Sequence, residues 1–201
     1  MDSQRRSLLW TGIGAGAATL FTGARAQAQT AQAQPIGPPV LDPIPNAPAH
    51  PTPGKPGDFN FLAGAWRIAH RQRKANGEWD MFDGEATCFT ILGGVGSVEE
   101  LRIPARNFSG MGLRMLDMDA HVWSDFWVNA RSGVLTTPGV TGSFENGAGI
   151  FISEDMDGDH PIKAAGVWDN ITPTTCRWRQ ATSRDGGRTW QQTWIMNWVR
   201  A

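Results

Sequence analysis

From residue 58 onward, apolar and polar side chains alternate in short runs, and turn residues separate the runs at roughly eight- to twelve-residue intervals. That is the period of antiparallel strands, not of helices. Trp66, Ile68 and His70 alternate with Arg67, Ala69 and Arg71 ahead of Asn76-Gly77, which predicts a tight type I′ hairpin. Trp79–Leu92 reads as the second strand, with Gly84 as a bulge that bends it. Further strands are predicted at Val98–Ile103, Leu113–Met118, Val122–Asn129, Thr141–Glu145, Gly149–Ser153, Ile162–Trp168, Thr175–Thr182 and Thr189–Val199. Ten short strands joined by hairpins form an up-and-down antiparallel sheet, and closing it into a barrel removes both exposed edges.

The tryptophans fit a closed sheet. The chain holds ten, and all but Trp10 fall after residue 58, mostly at even spacing, as in Trp190, Trp194 and Trp198. Each indole buries on the order of 150–250 Å², so a few inward rings fill much of a small barrel. Most are expected to be core, with Trp66, Trp127 and Trp194 lining any cavity.

The pattern before residue 58 is different. Arg5-Arg6-Ser7-Leu8-Leu9 precedes a Gly- and Ala-diluted apolar run to Phe21 and then Ala24-Arg25-Ala26, the layout of an export signal cleaved after Ala26. The paired arginines resemble the twin-arginine signal, which implies export of a folded chain to the periplasm or beyond by that machinery. The apolar run is too short and too rich in Gly for a permanent span, so no membrane partner is expected after cleavage. Residues 27–57 are rich in Ala, Gln and Pro and read as a disordered, extended linker. The expected organisation is therefore a signal peptide over 1–26, a linker over 27–57 and one all-β domain over 58–201, roughly 145 residues and long enough for a real core. The net charge of −1 provides no basic footprint for nucleic acid.

Candidate chemistry is sparse. Ser183-Arg184-Asp185-Gly186-Gly187-Arg188-Thr189-Trp190 matches the Asp-box of sialidases and related propellers. A single copy without an internal repeat reads as a hairpin stabiliser, in which hydroxyl and carboxylate hold the turn's N–H groups. Asp155-Met156-Asp157-Gly158-Asp159 lacks the Gly and Glu positions of a calcium loop and reads as a solvated hairpin, so no metal is expected. Cys88 and Cys176 sit mid-strand among apolar neighbours and read as buried free thiols, with a disulfide as the alternative. His70, His121 and His160 have no metal-ligand spacing. No cofactor is predicted; haem, held through His70 on the Trp66 face, is the remote alternative. No hydrolase triad, phosphate loop or dinucleotide fingerprint occurs. Glu99, Glu100, Arg102 and Arg114 lie on neighbouring strands, and any that faces inward must be paired.

Phe61-Leu62-Ala63-Gly64-Ala65-Trp66 opens the first strand in the way lipocalins and their calycin relatives do. That resemblance implies that Trp66 plugs one barrel end and that Arg200 or Arg179 covers it. Together with Ile91-Leu92-Gly93-Gly94-Val95-Gly96, Leu113-Arg114, Gly142-Ser143-Phe144-Glu145-Asn146-Gly147 and Arg177-Trp178-Arg179-Gln180-Ala181, the stretch Asp58–Arg200 resembles a family of uncharacterised bacterial lipocalin-like proteins. The resemblance implies the barrel and supplies no substrate or catalytic residue. The expected function is binding of a small, largely apolar ligand by Trp66, His70, Glu100, Arg114, Trp127 and Trp194. The alternatives are an isomerase or hydrolase with His70 or Glu100 as general base, and a filled barrel that serves as a scaffold.

Overall fold

The computed structural model describes residues 42–45 and 52–201; the expected signal peptide, its cleavage site and the rest of the linker lie outside them. Ten strands run in chain order: β1 Gly64–Arg73, β2 Trp79–Ile91, β3 Gly96–Ile103, β4 Phe108–Asp117, β5 Val122–Asn129, β6 Val140–Glu145, β7 Ala148–Asp157, β8 His160–Asp169, β9 Thr175–Ser183 and β10 Gln191–Arg200. Each pairs antiparallel with its neighbours, and β1 pairs with β10 from Trp66↔Arg200 to Gln72↔Trp194. The sheet is a closed up-and-down barrel, as the alternation requires. No helix among the described residues is long and apolar enough to cross a membrane.

Two local expectations differ. Asn76-Gly77 does not make a two-residue type I′ turn. Only Gly77 takes positive φ, and Lys74 pairs with Glu78 and Gly77 in a wider connection, because the Asn76 carboxamide oxygen is taken by the Glu78 N–H. Gly84 is not a bulge, since β1 and β2 stay in register through Ile68↔Gly84. The irregularity lies in β10 between Gln192 and Trp194.

Gly84 provides space instead. A Cβ there would overlap His70 Nε2. Gly110 likewise leaves room for the Trp127 ring and Gly112 for the Arg114 guanidinium. These glycines lower β propensity, which hid the first half of β4 from sequence reading.

One barrel end is corked by the turn before β1. Phe59 and Leu62 are buried there, and Phe59 meets Trp123 and Phe144 edge-on, each at 4.9 Å between ring centroids. Trp66 donates its indole N–H to Leu62 O at 2.6 Å, and Arg200, not Arg179, covers it 4.0 Å from the ring centroid. Trp168 and Trp198 complete this layer at 5.4 Å. Cys88 and Cys176 are free thiols within it, and burial pushes both up in pKa, Cys176 to about 12.

The Asp-box closes the β9–β10 hairpin as expected. Ser183 Oγ accepts from the Gly187 N–H, Asp185 accepts from the backbone and hydroxyl of Thr189, and Gly186 and Gly187 take positive φ. Asp155–Asp157 ends β7 at a hairpin where Asp157 pairs with Arg184.

Parts of the stretch expected to be a disordered linker lie on the barrel. Gly54 N–H bonds His121 O at 2.7 Å. Ile44 packs on Ala165, Val167 and Ala181 of the outer wall, because three small apolar side chains facing outward there need cover from water.

Candidate functional site

The interior beyond the aromatic cork is polar on one side. β5 alternates Trp123, Asp125 and Trp127 inward, which places a carboxylate between two indoles. β3 turns Ser97, Glu99 and Leu101 inward and β4 turns Gly112, Arg114 and Leu116 inward. Arg114 Nη2 then stands 2.7 Å from Glu99 Oε2, and its Nε 3.2 Å from Asp125 Oδ1. These are ion pairs by distance without aligned hydrogen-bond geometry, and Arg114 Nη1 has no hydrogen-bond partner among the described residues.

Two carboxyl groups therefore share one guanidinium inside the barrel. Burial works against the Arg114 charge, but Glu99 and Asp125 outweigh it and hold Arg114 above its ordinary pKa. Asp125 is pushed up to about 6, chiefly by burial and further by Glu99, against the pull of Arg114. It is the group on which the surplus negative charge is relieved by a proton.

Asp125 lines a cleft together with Trp127, Val140, Phe151, Ser153, Ala164, Ala165, Gly166 and Gln180. The enclosed part of the cleft is small, with room for about one water, and it is open to solvent on one side. It lies beside the seam of the barrel with the fewest residue pairs. β5 and β6 share three residue pairs, the last being Asp125↔Val140, and both members of that pair line the cleft. Past this seam β5 continues with only the isolated bridge Val128↔Leu135 on that side.

Gln180 reaches the cleft from β9 and Ser153 from β7. Gln180 is 7% exposed, yet its side-chain amide makes no hydrogen bond to any described residue; the bond from Thr193 ends on its backbone oxygen.

The six residues expected to line a cavity separate. Trp127 lines the cleft, and Arg114 stands directly behind Asp125. Trp66 is sealed in the corked end. His70 and Trp194 form a closed group elsewhere in the interior: Trp194 Nε1 donates to His70 Nδ1 at 3.2 Å, and His70 stacks on Phe82 at 4.7 Å. With Nδ1 accepting, the neutral imidazole carries its proton on Nε2, which lies against Gly84. Burial, helped by Arg106, lowers its pKa to about 3. His70 is thus spent on wall packing, and its one basic nitrogen is occupied.

Glu100 faces outward, contrary to expectation: its side chain is 61% exposed and pairs with Arg102. The strand's alternation carries the reason. Val98, Glu100 and Arg102 share the solvent face, so the adjacent Glu99 takes the interior. Asp125, Ser153 and Gln180 were missed. Only Asp125 carried a signal, as the lone charge between Trp123 and Trp127 at period two.

Fold and site together define a closed, up-and-down, ten-stranded antiparallel barrel with a small seam cleft floored by a buried carboxyl. No protein-family model matches the sequence, nor does any curated protein. Among solved structures it is similar to the S-type phycobiliprotein lyase CPES from Guillardia theta, at 10% identity over 71% of this chain and 90% of that chain, with a TM-score of 0.47. It is also similar to a protein of unknown function from the DUF3598 family of Nostoc punctiforme, at 12% identity over 76% of this chain and 53% of that chain, with a TM-score of 0.42.

Proposed function

We propose that the protein is an extracytoplasmic barrel that binds a small, largely apolar molecule in the β5–β6 seam cleft. The apolar body rests on Trp127, Val140 and Phe151, and its polar group meets Asp125, Ser153 and Gln180. One observation carries this reading. Gln180, 7% exposed as a whole residue, turns an amide with no hydrogen-bond partner among the described residues to the wall of a cleft, where it is accessible to a partner from outside the chain. A few convergent polar groups on an otherwise apolar wall are what orient small ligands. The periplasmic or secreted setting is supported by Arg5-Arg6 and the cleavage pattern at Ala26, and a place among bacterial lipocalin-like proteins by the motifs between Asp58 and Arg200.

The test is native mass spectrometry of the full chain purified from its own envelope, beside a Gln180→Leu variant. A reproducible added mass on the natural protein that is lost from the variant supports the reading. A bare mass for both overturns it in favour of a filled scaffold barrel.

An enzymatic reading has Asp125 in place of His70 or Glu100, because a carboxyl near pKa 6 in a cleft is poised for proton transfer. Such an enzyme would lose turnover in Asp125→Asn while still binding its substrate.

A further inference from the structure

We propose, building on the binding role above, that the group this cleft recognises is an ammonium carried on an apolar body, seated on the Asp125 carboxylate beside the Trp127 ring. The first reason is charge. Glu99 and Asp125 outnumber Arg114, and the guanidinium lies behind Asp125, outside the lining. No Lys, Arg or His lines the cleft. An anionic head group would meet a wall with one surplus negative charge, whereas a cation supplies the charge the trio lacks.

The second reason is fit. The enclosed part of the cleft holds a group the size of one water, and an ammonium is such a group. Its three N–H donors find their acceptors among Asp125, Ser153 and Gln180, the polar residues of the lining. The apolar body then lies at the open side of the cleft, beside the lining residues Phe151, Val140 and Trp127.

Binding is coupled to a proton. A cation displaces the proton that Asp125 holds near pH 6, so affinity is full above that pH and falls below it. The charged groups facing Asp125 are Arg114 from β4 and Glu99 from β3. β6, β7, β8 and β9 bring Val140, Phe151, Ser153, Ala164 and Gln180 to the cleft, none of them charged.

Calorimetry on the full chain tests this with three probes of one shape: 2-naphthylmethylamine, 2-naphthylmethanol and 2-naphthoate. At pH ~7.5 the amine is expected to bind about tenfold more tightly than the alcohol, with naphthoate weakest. At pH ~5 the preference for the amine should shrink to about threefold or less. Asp125→Asn should flatten it at both pH values; if that variant fails to fold by circular dichroism, the pH series on the natural chain decides. Alcohol or naphthoate binding as well as the amine at the higher pH overturns the ammonium and leaves the binding role standing. Absence of heat from all three at millimolar concentration overturns both.

Discussion

Arg200 caps Trp66: its guanidinium stands 4.0 Å from the indole centroid while donating to the backbone oxygens of Phe61, Ala63 and Pro173. One side chain from the last strand thereby fastens the cork, the first strand and the β8–β9 loop. Arg200→Ala is expected to lower stability by about 2–3 kcal/mol, from the lost cation–π contact and charge-assisted hydrogen bonds. Arg200→Lys should recover less than half, because an ammonium lacks the planar fork that serves several carbonyls at once. Urea unfolding followed by tryptophan fluorescence measures both.

Gly84 and His70 form a second coupled pair. A methyl group at residue 84 would overlap His70 Nε2 and lie 3.0 Å from Arg102 O, and a ring held by Phe82 and Trp194 cannot retreat. Gly84→Ala should cost about 1–3 kcal/mol. In Gly84→Ala/His70→Ala the penalty of the methyl group should largely vanish, giving a coupling free energy of about 1 kcal/mol or more in a double-mutant cycle. Additive effects would mean that the Arg102 backbone, not the imidazole, sets the limit.

The same pair explains what sequence reading reached. Period-two alternation from Trp66 to His70 and along Trp194 and Trp198 places strands and core correctly, because burial on one face repeats at every second residue. It cannot tell why a glycine interrupts a strand. Gly84, Gly110 and Gly112 are there for side chains on adjacent strands or two residues on, a relation that exists only once the strands are formed and paired. The site was lost for a related reason. Glu99-Glu100 offers either carboxylate to the interior, and the register that buries Leu101 and Ile103 on the same face as Glu99, leaving Glu100 with Arg102 outside, decides between them. Gln180 and Ser153 are inconspicuous in the chain and gain meaning from converging on Asp125.

Glu99 and Asp125 hold Arg114 unequally, at 2.7 Å and 3.2 Å, and they should respond differently to neutralisation. Glu99→Gln removes the closer partner of a guanidinium buried to 3% exposure and should cost about 3–5 kcal/mol. Asp125→Asn leaves one carboxylate to one guanidinium and should cost far less. The pH dependence gives the sign. Asp125 titrates near 6 folded against 3.8 as its ordinary value, so between these the folded state holds the extra proton. Its contribution is full below pH 3.8 and is lost as pH rises through 6. The natural protein should therefore lose ground to Asp125→Asn between pH ~4 and pH ~7, and the gap should stay constant above that. Unfolding midpoints across this range check the slope.

Ile44 does for the outer wall what Phe59 does for the interior. Outward positions on a barrel strand ordinarily carry polar groups, yet β8 and β9 place Ala165, Val167 and Ala181 there, each at 2% exposure or less beneath Ile44. The segment is pinned at its backbone: Asp42 O accepts from Arg179 at 2.7 Å and from Gln192 at 2.6 Å, and the Asp42 carboxylate meets Arg177 at 2.7 Å. Ile44→Ala is expected to cost about 1–2 kcal/mol, less than a central core truncation, because the segment can settle onto the wall. A chain beginning at residue 52 should cost more, and it should bind a dye for exposed apolar surface that the full chain does not. An unfolding midpoint unchanged by either alteration would mean that the small residues of β8 and β9 need no cover, leaving the Asp42 clamp as an incidental surface contact.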